Sequence, residues 1–288
     1  MNVSVIGLGQ MGTRLAQAFL AAGYQTVVWN RTRAKVDALV AQGATAAATI
    51  AEAAAAPLVV VCLTSYDAVR EALDPVRDDL RGKTVVNLTS GTPDTAREMS
   101  AWLSGHGAGY LDGAAMSGTR LVGRPEALFV LSGDADAFAA HRVALASLGN
   151  TVHLGADPAL ASVYDGALFS LAWGALAGFY HAVALVSAEG VAPTSFAQAA
   201  AGHMPFVTSL LTEHARQIEE GRYPDDDGTV DVHAAAMDHL IHASAAAGVR
   251  TDVPELFRAL LELAATGGHG ADGIASTAQA LSKELRRG

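Results

Sequence analysis

Val3-Ser4-Val5-Ile6-Gly7-Leu8-Gly9-Gln10-Met11-Gly12 stands at the head of the chain, an apolar run of β character that ends in glycines spaced Gly-x-Gly-x-x-Gly. Behind it Leu15, Ala16, Phe19 and Leu20 recur at helical spacing as far as Gly23. A strand, a tight turn and a helix in this order make a cradle for a dinucleotide pyrophosphate. Gly7 permits the turn, Gly9 lets the backbone approach the phosphates, Gly12 lets helix pack on strand, and the N–H groups at the helix start attract negative charge. Gln25-Thr26-Val27-Val28-Trp29 supplies a second strand, and the residues just after it select the cofactor. An acidic residue there would accept from a ribose 2′-OH; Asn30-Arg31-Thr32 and Lys35 offer cations and a hydroxyl to a 2′-phosphate instead. The expected cofactor is NADP(H), held by Gly7, Leu8, Gly9, Gln10, Met11, Asn30, Arg31, Thr32 and Lys35. The plainer alternative makes Thr32 a helix cap and Arg31 a solvated charge.

The composition narrows the class. With 288 residues, 51% of them apolar and 17% charged, the chain has core enough for one large or two ordinary domains. A net charge of −10 without a basic cluster argues against nucleic acid as a partner. The single cysteine, Cys62, excludes an internal disulfide framework and suits a reducing cytoplasm. The first strand starts so near Met1 that no signal or transit peptide is expected. From Gly166 to Ala188 no residue carries a formal charge, long enough for a membrane span, but Asp165 and Glu189 flank it, and neither nearby Lys or Arg nor an aromatic belt marks its ends. A helix apolar all round also suits a large core or a subunit interface; the interface is the preferred reading, with no membrane as partner.

Alternating β and helical stretches fill the first half. Thr49 to Glu52 reads as a capping box and Leu58 to Leu63 as a buried parallel strand. A helix comes next, from about Asp67 to Leu80, then the strand Thr84 to Leu88 and a helix opened by Thr92 and Pro93. Three further strands are expected at Tyr110 to Ala115, Glu126 to Leu131 and Thr151 to Leu154, around a helix from about Ala135 to Leu148. After Gly155 the strands stop; Asp157-Pro158 caps a helix, and breaks fall at Gly190 to Pro193, Gly202 to Pro205, Gly221 to Gly228, Gly248 to Pro254 and Thr266 to Asp272. The fold class is α/β: an N-terminal Rossmann domain with a doubly wound sheet over 1–157 and an all-α domain over 158–288, joined by a long helix at about 158–189.

Ligands of such sheets lie beyond the carboxyl ends of the strands. There the sequence places Cys62, Leu63 and Thr64, and Asn87, Thr89 and Ser90, whose small polar groups suit a nicotinamide ribose; capping is a compatible role for the hydroxyls. The loop from Asp112 to Gly123, with Met116 and Ser117, is rich in small residues and placed to fold over a substrate. His239 and His242 share a helix face near Asp238 without a third ligand, so a pocket or interface role is preferred and no metal is expected. Asp225-Asp226-Asp227-Gly228 lacks the alternation of a calcium loop and reads as a solvated turn.

Three segments together, Gly7-Leu8-Gly9-Gln10-Met11-Gly12, Asp112-Gly113-Ala114 to Gly118, and Gly155 to Asp165, resemble the β-hydroxyacid and 6-phosphogluconate dehydrogenase superfamily. The resemblance implies a Rossmann domain, a helical domain and a dimer. Hydroxyacid members carry a lysine on the first turns of the interdomain helix, but the lysines here are Lys35, Lys83 and Lys283, and that place falls at or beside Asp165. A lysine ammonium stabilises the oxyanion of carbonyl reduction, which a carboxylate would repel. A carboxylate instead favours a protonated iminium, within the limit that hydride arrival removes the positive charge.

Asp165, Asn30-Arg31-Thr32 with Lys35, Asn87 to Pro93, Pro125-Glu126-Ala127-Leu128, and Met237-Asp238-His239-Leu240 resemble the NADPH-dependent imine reductases along nearly the whole chain. The resemblance implies reduction of a cyclic imine, Asp165 as proton donor or iminium anchor, and Trp173 as a pocket wall. Tyr164 is the alternative donor. Met116, Ser117, Phe169, Met237 and His239 complete the expected substrate pocket, although aromatic and Met side chains serve a core equally well. The chain departs from the family's efficient reductive aminators, which often carry asparagine near position 90 and tyrosine near position 173, by having Ser90 and Trp173. A cytoplasmic homodimer that exchanges its long helix is expected, each site lying between one subunit's Rossmann domain and the other's helical domain. The rival readings are a hydroxyacid dehydrogenase with an unusual acid and a non-catalytic NADPH-binding sensor.

Overall fold

Strand β1 (Asn2–Ile6) runs through the middle of an eight-stranded sheet, because its apolar residues meet helices on both faces. The structure is a computed structural model and describes residues 2–282. The other strands are β2 (Gln25–Trp29), β3 (Thr45–Ala46), β4 (Leu58–Val61), β5 (Thr84–Asn87), β6 (Gly109–Ala115), β7 (Leu128–Gly133) and β8 (Asn150–His153), in the order β3-β2-β1-β4-β5-β6-β7-β8. Helices α1 (Gln10–Ala21), α2 (Arg33–Val40), α3 (Ile50–Ala53), α4 (Tyr66–Leu73), α5 (Pro93–Gly105) and α6 (Ala135–Leu145) connect them. Alternation along the strands sorts the core. Val3, Val5, Leu58 and Val60 pack with Leu15, Phe19, Leu39 and Leu145 of α1, α2 and α6. Ile6, Val59 and Val61 pack on the opposite layer with Val69, Leu73, Met99 and Leu103 of α4 and α5.

The chain leaves β1 toward β2 and β3, then returns to place β4 on the other side of β1. That reversal opens a crevice at the carboxyl ends of β1 and β4. Every pairing is parallel except β6 with β7. No α-helix lies between those two strands, only the 3-10 turn Thr119–Leu121, so the chain lacks the crossover a parallel pair requires.

Four local expectations change. The helix expected over 67–80 ends at Leu73 and tightens into the 3-10 segment Asp74–Leu80, since Pro75 has no N–H to continue an α-helix. The two-residue edge strand β3 is too short to leave a pattern in the sequence. Strands β7 and β8 are displaced by one or two residues from their expected ends. Finally, the break expected at Gly202 to Pro205 is absent, and helix continues through it.

Two compact units divide the chain within helix α7 (Ala159–Ala188): Met1–Leu171 and Ala172–Gly288. Strand β7 and the turn before α7 hold the start of that helix in the first unit. Asp157 Oδ1 accepts from Ala159 N at 3.0 Å, and Ser132 Oγ donates to Pro158 O at 2.8 Å while accepting from Ala161 N at 2.9 Å. The second unit contains the remainder of α7 with α8 (Pro193–Glu220), α9 (Val230–Ala246), α10 (Asp252–Ala264) and α11 (Thr277–Leu281). Helix α8 carries Pro205 inside it, because one proline removes one hydrogen bond while helix formers on both sides, Ala199-Ala200-Ala201 before and Leu210-Leu211 after, sustain the rest. Within this unit Ser244 of α9 lies 3.2 Å from His181 Nε2 of α7.

Candidate active site

Two loops touch at the head of the crevice, and only glycine allows it. Gly7 adopts φ +94°, and a Cβ there would stand 2.2 Å from the Cys62 carbonyl oxygen; one on Gly12 would stand 1.9 Å from the Gly7 oxygen. A Cβ on Gly9, by contrast, would project into open space on the crevice side of the turn. Helix α1 starts at Gly9 without a side-chain cap, so its first N–H groups face that space.

A cavity of about 680 Å³ opens there, lined by all twelve of Gly7, Leu8, Gly9, Gln10, Met11, Asn30, Arg31, Thr32, Lys35, Cys62, Leu63 and Thr64. Asn30 shapes it: its Oδ1 accepts from Leu8 N at 2.9 Å and its Nδ2 donates to Thr32 O at 3.1 Å, binding the glycine turn to the segment after β2. Thr32 sits at the N-cap of α2 but makes no capping bond with its side chain, so the plain-cap reading of this residue is not what the structure contains. Arg33 is engaged with Asp37, whereas Arg31 and Lys35 face the cavity. A bare helix start beside a glycine turn and two cations beyond the second strand fit a phosphorylated dinucleotide, NADP(H).

Trp29, Ile50, Glu71 and Pro75 also line the cavity. Among these, Trp29 was visible in the sequence as the last residue of the second strand, and the others lie on elements that only the fold brings close. Burial pushes the Cys62 thiol at the floor up to about 11, against a backbone hydrogen bond with Gly12.

Asn87, Thr89 and Ser90 are not part of this lining. Asn87 and Thr89 are buried, and their side chains brace the strand ends: Thr89 Oγ1 accepts from Leu63 N at 3.0 Å, Asn87 Oδ1 from Thr89 N at 3.1 Å, and Asn87 Nδ2 donates to Tyr110 Oη at 3.3 Å. Ser90 is exposed.

Deeper in the same unit lies a polar cluster that the sequence did not announce. Asp112, 1% exposed on β6, accepts from Tyr66 Oη and, at 2.7 Å, from Tyr110 Oη with its Oδ1, and from Ser162 Oγ at 2.9 Å with its Oδ2. Burial pushes its carboxyl up to about 6, the three donated hydrogen bonds work against that, and the Asp165 carboxylate adds to it. The Tyr66 phenol is driven well above the usual tyrosine range, first by burial and then by the Asp112 charge. The available signal was an aspartate inside a strand otherwise made of apolar and small residues, a position that requires paired partners.

Asp165 lies on α7 one turn beyond Ser162 and is half-buried. It is the single formally charged residue among the thirty of that helix. Tyr164 and Phe169 of the same helix are exposed. Met116 and Ser117 serve the connection between β6 and β7: Met116 N donates to Leu128 O at 2.9 Å and Ser117 Oγ accepts from Leu128 N at 3.0 Å. Met116 also packs beside Ala114, Val130 and Ala161. Trp173, Met237 and His239 belong to the second unit, Trp173 on α7 and the other two on α9; Met237 is half-buried, Trp173 and His239 are exposed. Among the described residues no group of His, Cys, Asp and Glu is arranged to hold a metal.

A sheet that turns at β1 and β4, a dinucleotide crevice at that turn and an all-helical second unit characterise nicotinamide-dependent oxidoreductases of the 6-phosphogluconate dehydrogenase type. Residues 2–155 match the NAD binding domain of 6-phosphogluconate dehydrogenase, and residues 157–283 match the NADPH-dependent reductive aminase-like C-terminal domain. An NADPH-dependent reductive aminase of Aspergillus oryzae is 36% identical over 284 residues, 96% of this chain and 95% of the relative. Among solved structures, a reductive aminase from Aspergillus terreus in complex with NADPH and ethyl levulinate is 39% identical with a TM-score of 0.91, over 98% of this chain and 99% of that one. An imine reductase of Streptomyces aurantiacus is 32% identical with a TM-score of 0.93, over 98% and 100% of the two chains. The chain belongs to the family of imine reductases and reductive aminases, oxidoreductases that act on C=N bonds with NADPH.

Proposed function

We propose that the chain is an imine reductase that converts the C=N bond of a cyclic imine or iminium to an amine, with Asp165 as proton donor or iminium anchor. The observation that carries this reading is the charge inventory of α7: a half-buried acid, close enough to Asp112 to affect its titration, on a helix with no other formal charge. Bound in the crevice, NADPH supplies the hydride. Arg31, Lys35 and Thr32 hold its 2′-phosphate, and the turn from Gly7 to Met11 its pyrophosphate. A partly desolvated Asp165 gives its proton to the imine nitrogen, or, where the iminium is already formed, its carboxylate holds the cation until hydride reaches the carbon and leaves the neutral amine. Nothing on α7 offers a cation to a developing alkoxide, which sets this site against hydroxyacid oxidation. Tyr164, about 100° around the helix from Asp165, is exposed and the weaker donor.

The test monitors NADPH consumption with 2-methylpyrroline, with a simple ketone alone and with added amine, and with NADP+ and 3-hydroxyisobutyrate. Turnover of the imine without oxidation of the hydroxyacid is expected, and an Asp165→Ala variant loses roughly a hundredfold or more in kcat. Full imine activity in that variant would remove Asp165 from the mechanism, and NADPH binding without turnover of any substrate would favour a sensor. We infer also that the protein is a cytoplasmic homodimer, with a second copy covering the exposed Trp173, Leu176 and Tyr180 of α7. Light scattering on the purified chain checks the dimer.

A further inference from the structure

Two neighbouring side chains on β6 and β7 grip the same helix. Asp112 and Ser132 are register partners across that antiparallel pair. Ser132 holds Pro158 and Ala161 at the start of α7, and Asp112 holds Ser162 one residue further on. Asp165 lies three positions beyond Ser162 and so shares its face of the helix. On its other oxygen Asp112 holds Tyr66, the first residue of α4. Thr64 and Ala68, on either side of Tyr66 in the chain, both line the cofactor crevice. The backbone makes room for this tyrosine: a Cβ on Gly91 would stand 2.2 Å from its ring.

We propose that Asp112 is a positioning residue for Asp165: by binding Tyr66 and Ser162 to one buried carboxylate, it fixes the first turns of α7 against the mouth of the cofactor crevice and sets the charge that Asp165 faces. The inference rests on the reading of Asp165 as the acid of the reaction. The groups facing Asp112 are Tyr66 from α4, Tyr110 from β6 itself, and Ser162 and Asp165 from α7, with Asn87 of β5 reaching it through the Tyr110 hydroxyl. Asp165 is the other ionisable carboxyl of the set. The network is fully paired, so it holds its geometry, and the like charge of a second carboxylate makes the ionisation of Asp112 felt along α7. Its carboxyl, pushed up to about 6, changes state within the working pH range of an enzyme assay.

Two variants of the full-length protein separate geometry from charge. Asp112→Asn keeps the size of the side chain and an acceptor while removing the charge; Ser162→Ala keeps the charge and removes the tie to α7. Each is compared with wild type and with Asp165→Ala for kcat and KM on 2-methylpyrroline across pH, for NADPH Kd by fluorescence and for Tm. Both variants are expected to keep NADPH Kd within about twofold and to lose about tenfold or more in kcat. An inflection near pH 6 is expected in the wild-type profile and is expected to vanish in Asp112→Asn, and adding that substitution to Asp165→Ala slows the residual rate no further. Wild-type kcat in both variants, with Asp165→Ala inactive, overturns the inference and leaves Asp165 in its role. Losses of kcat, NADPH affinity and Tm in parallel overturn it in favour of a purely structural role. Full activity of Asp165→Ala removes the reading on which it rests, and the inference with it.

Discussion

Val3, Val5, Leu15, Phe19, Leu58 and Val60 are fully buried in the first unit, each packed between strand and helix. In the second unit Val230, Pro254, Ala264 and Ala275 are the buried apolar residues among those described, while Trp173, Leu176, Tyr180, Phe206 and Leu256 lie open. The most apolar stretch of α7 has none of its residues buried. The first unit buries its large apolar side chains, and the second leaves many of its own exposed, as a surface meant for association would. The first unit has an interior of its own to carry the crevice, and the exposed face of the second is the one that the proposed homodimer would cover.

The sharpest way to break this contrast is to charge the open face. Leu176→Arg should cost the proposed dimer about 3 kcal/mol or more, over a hundredfold in its dissociation constant, read by light scattering against concentration, while NADPH binding persists. A dimer of unchanged affinity would mean that this face is covered by something else. Gly12→Ala attacks the other half. Its Cβ meets the Gly7 oxygen at 1.9 Å, so the turn must move, with a loss of about 3 kcal/mol in unfolding and loss of NADPH affinity, the dimer being unaffected.

Acidity tests the first unit by itself. Asp112 has its folded carboxyl pushed up to about 6 from 3.8, so the stability it contributes is fully present below about pH 4, falls as pH rises to about 6 and is absent above. Relative to Asp112→Asn, wild type should be more stable at about pH 4 than at about pH 7, by at most about 3 kcal/mol. Urea unfolding monitored on the first unit provides the measurement; a difference independent of pH would refute it. The smallest effect belongs to Arg31→Ala, which should raise Kd for NADPH about tenfold and leave that for NADH nearly unchanged, with no change in association.

Most of the first unit was legible because its signals are local. The glycine turn with its flanking strand and helix pointed to the crevice, and Arg31 and Lys35 after β2 could be expected to line it, as they do, since a strand and the turn after it are contiguous in the chain. The hidden part depends on contacts between residues distant in sequence. Tyr66, Tyr110 and Ser162 converge on Asp112 from separate elements, and nothing in their own neighbourhoods points to it. Asn87 and Thr89 were expected at the crevice from their place at a strand end; their side chains bond Tyr110 and Leu63, contacts that only the fold creates. Pro205 misled in the opposite direction, because a local rule for helix ends yielded to helix formers on both sides.

The thiol of Cys62 has one more consequence. At the floor of the crevice it stays protonated at neutral pH, with its proton held up to about 11, and thiolate is the form that oxidants and alkylating agents attack. As the chain has no other cysteine, its thiol chemistry rests on this one protonated group. Activity should survive storage without added thiols and treatment with a thiol-blocking reagent.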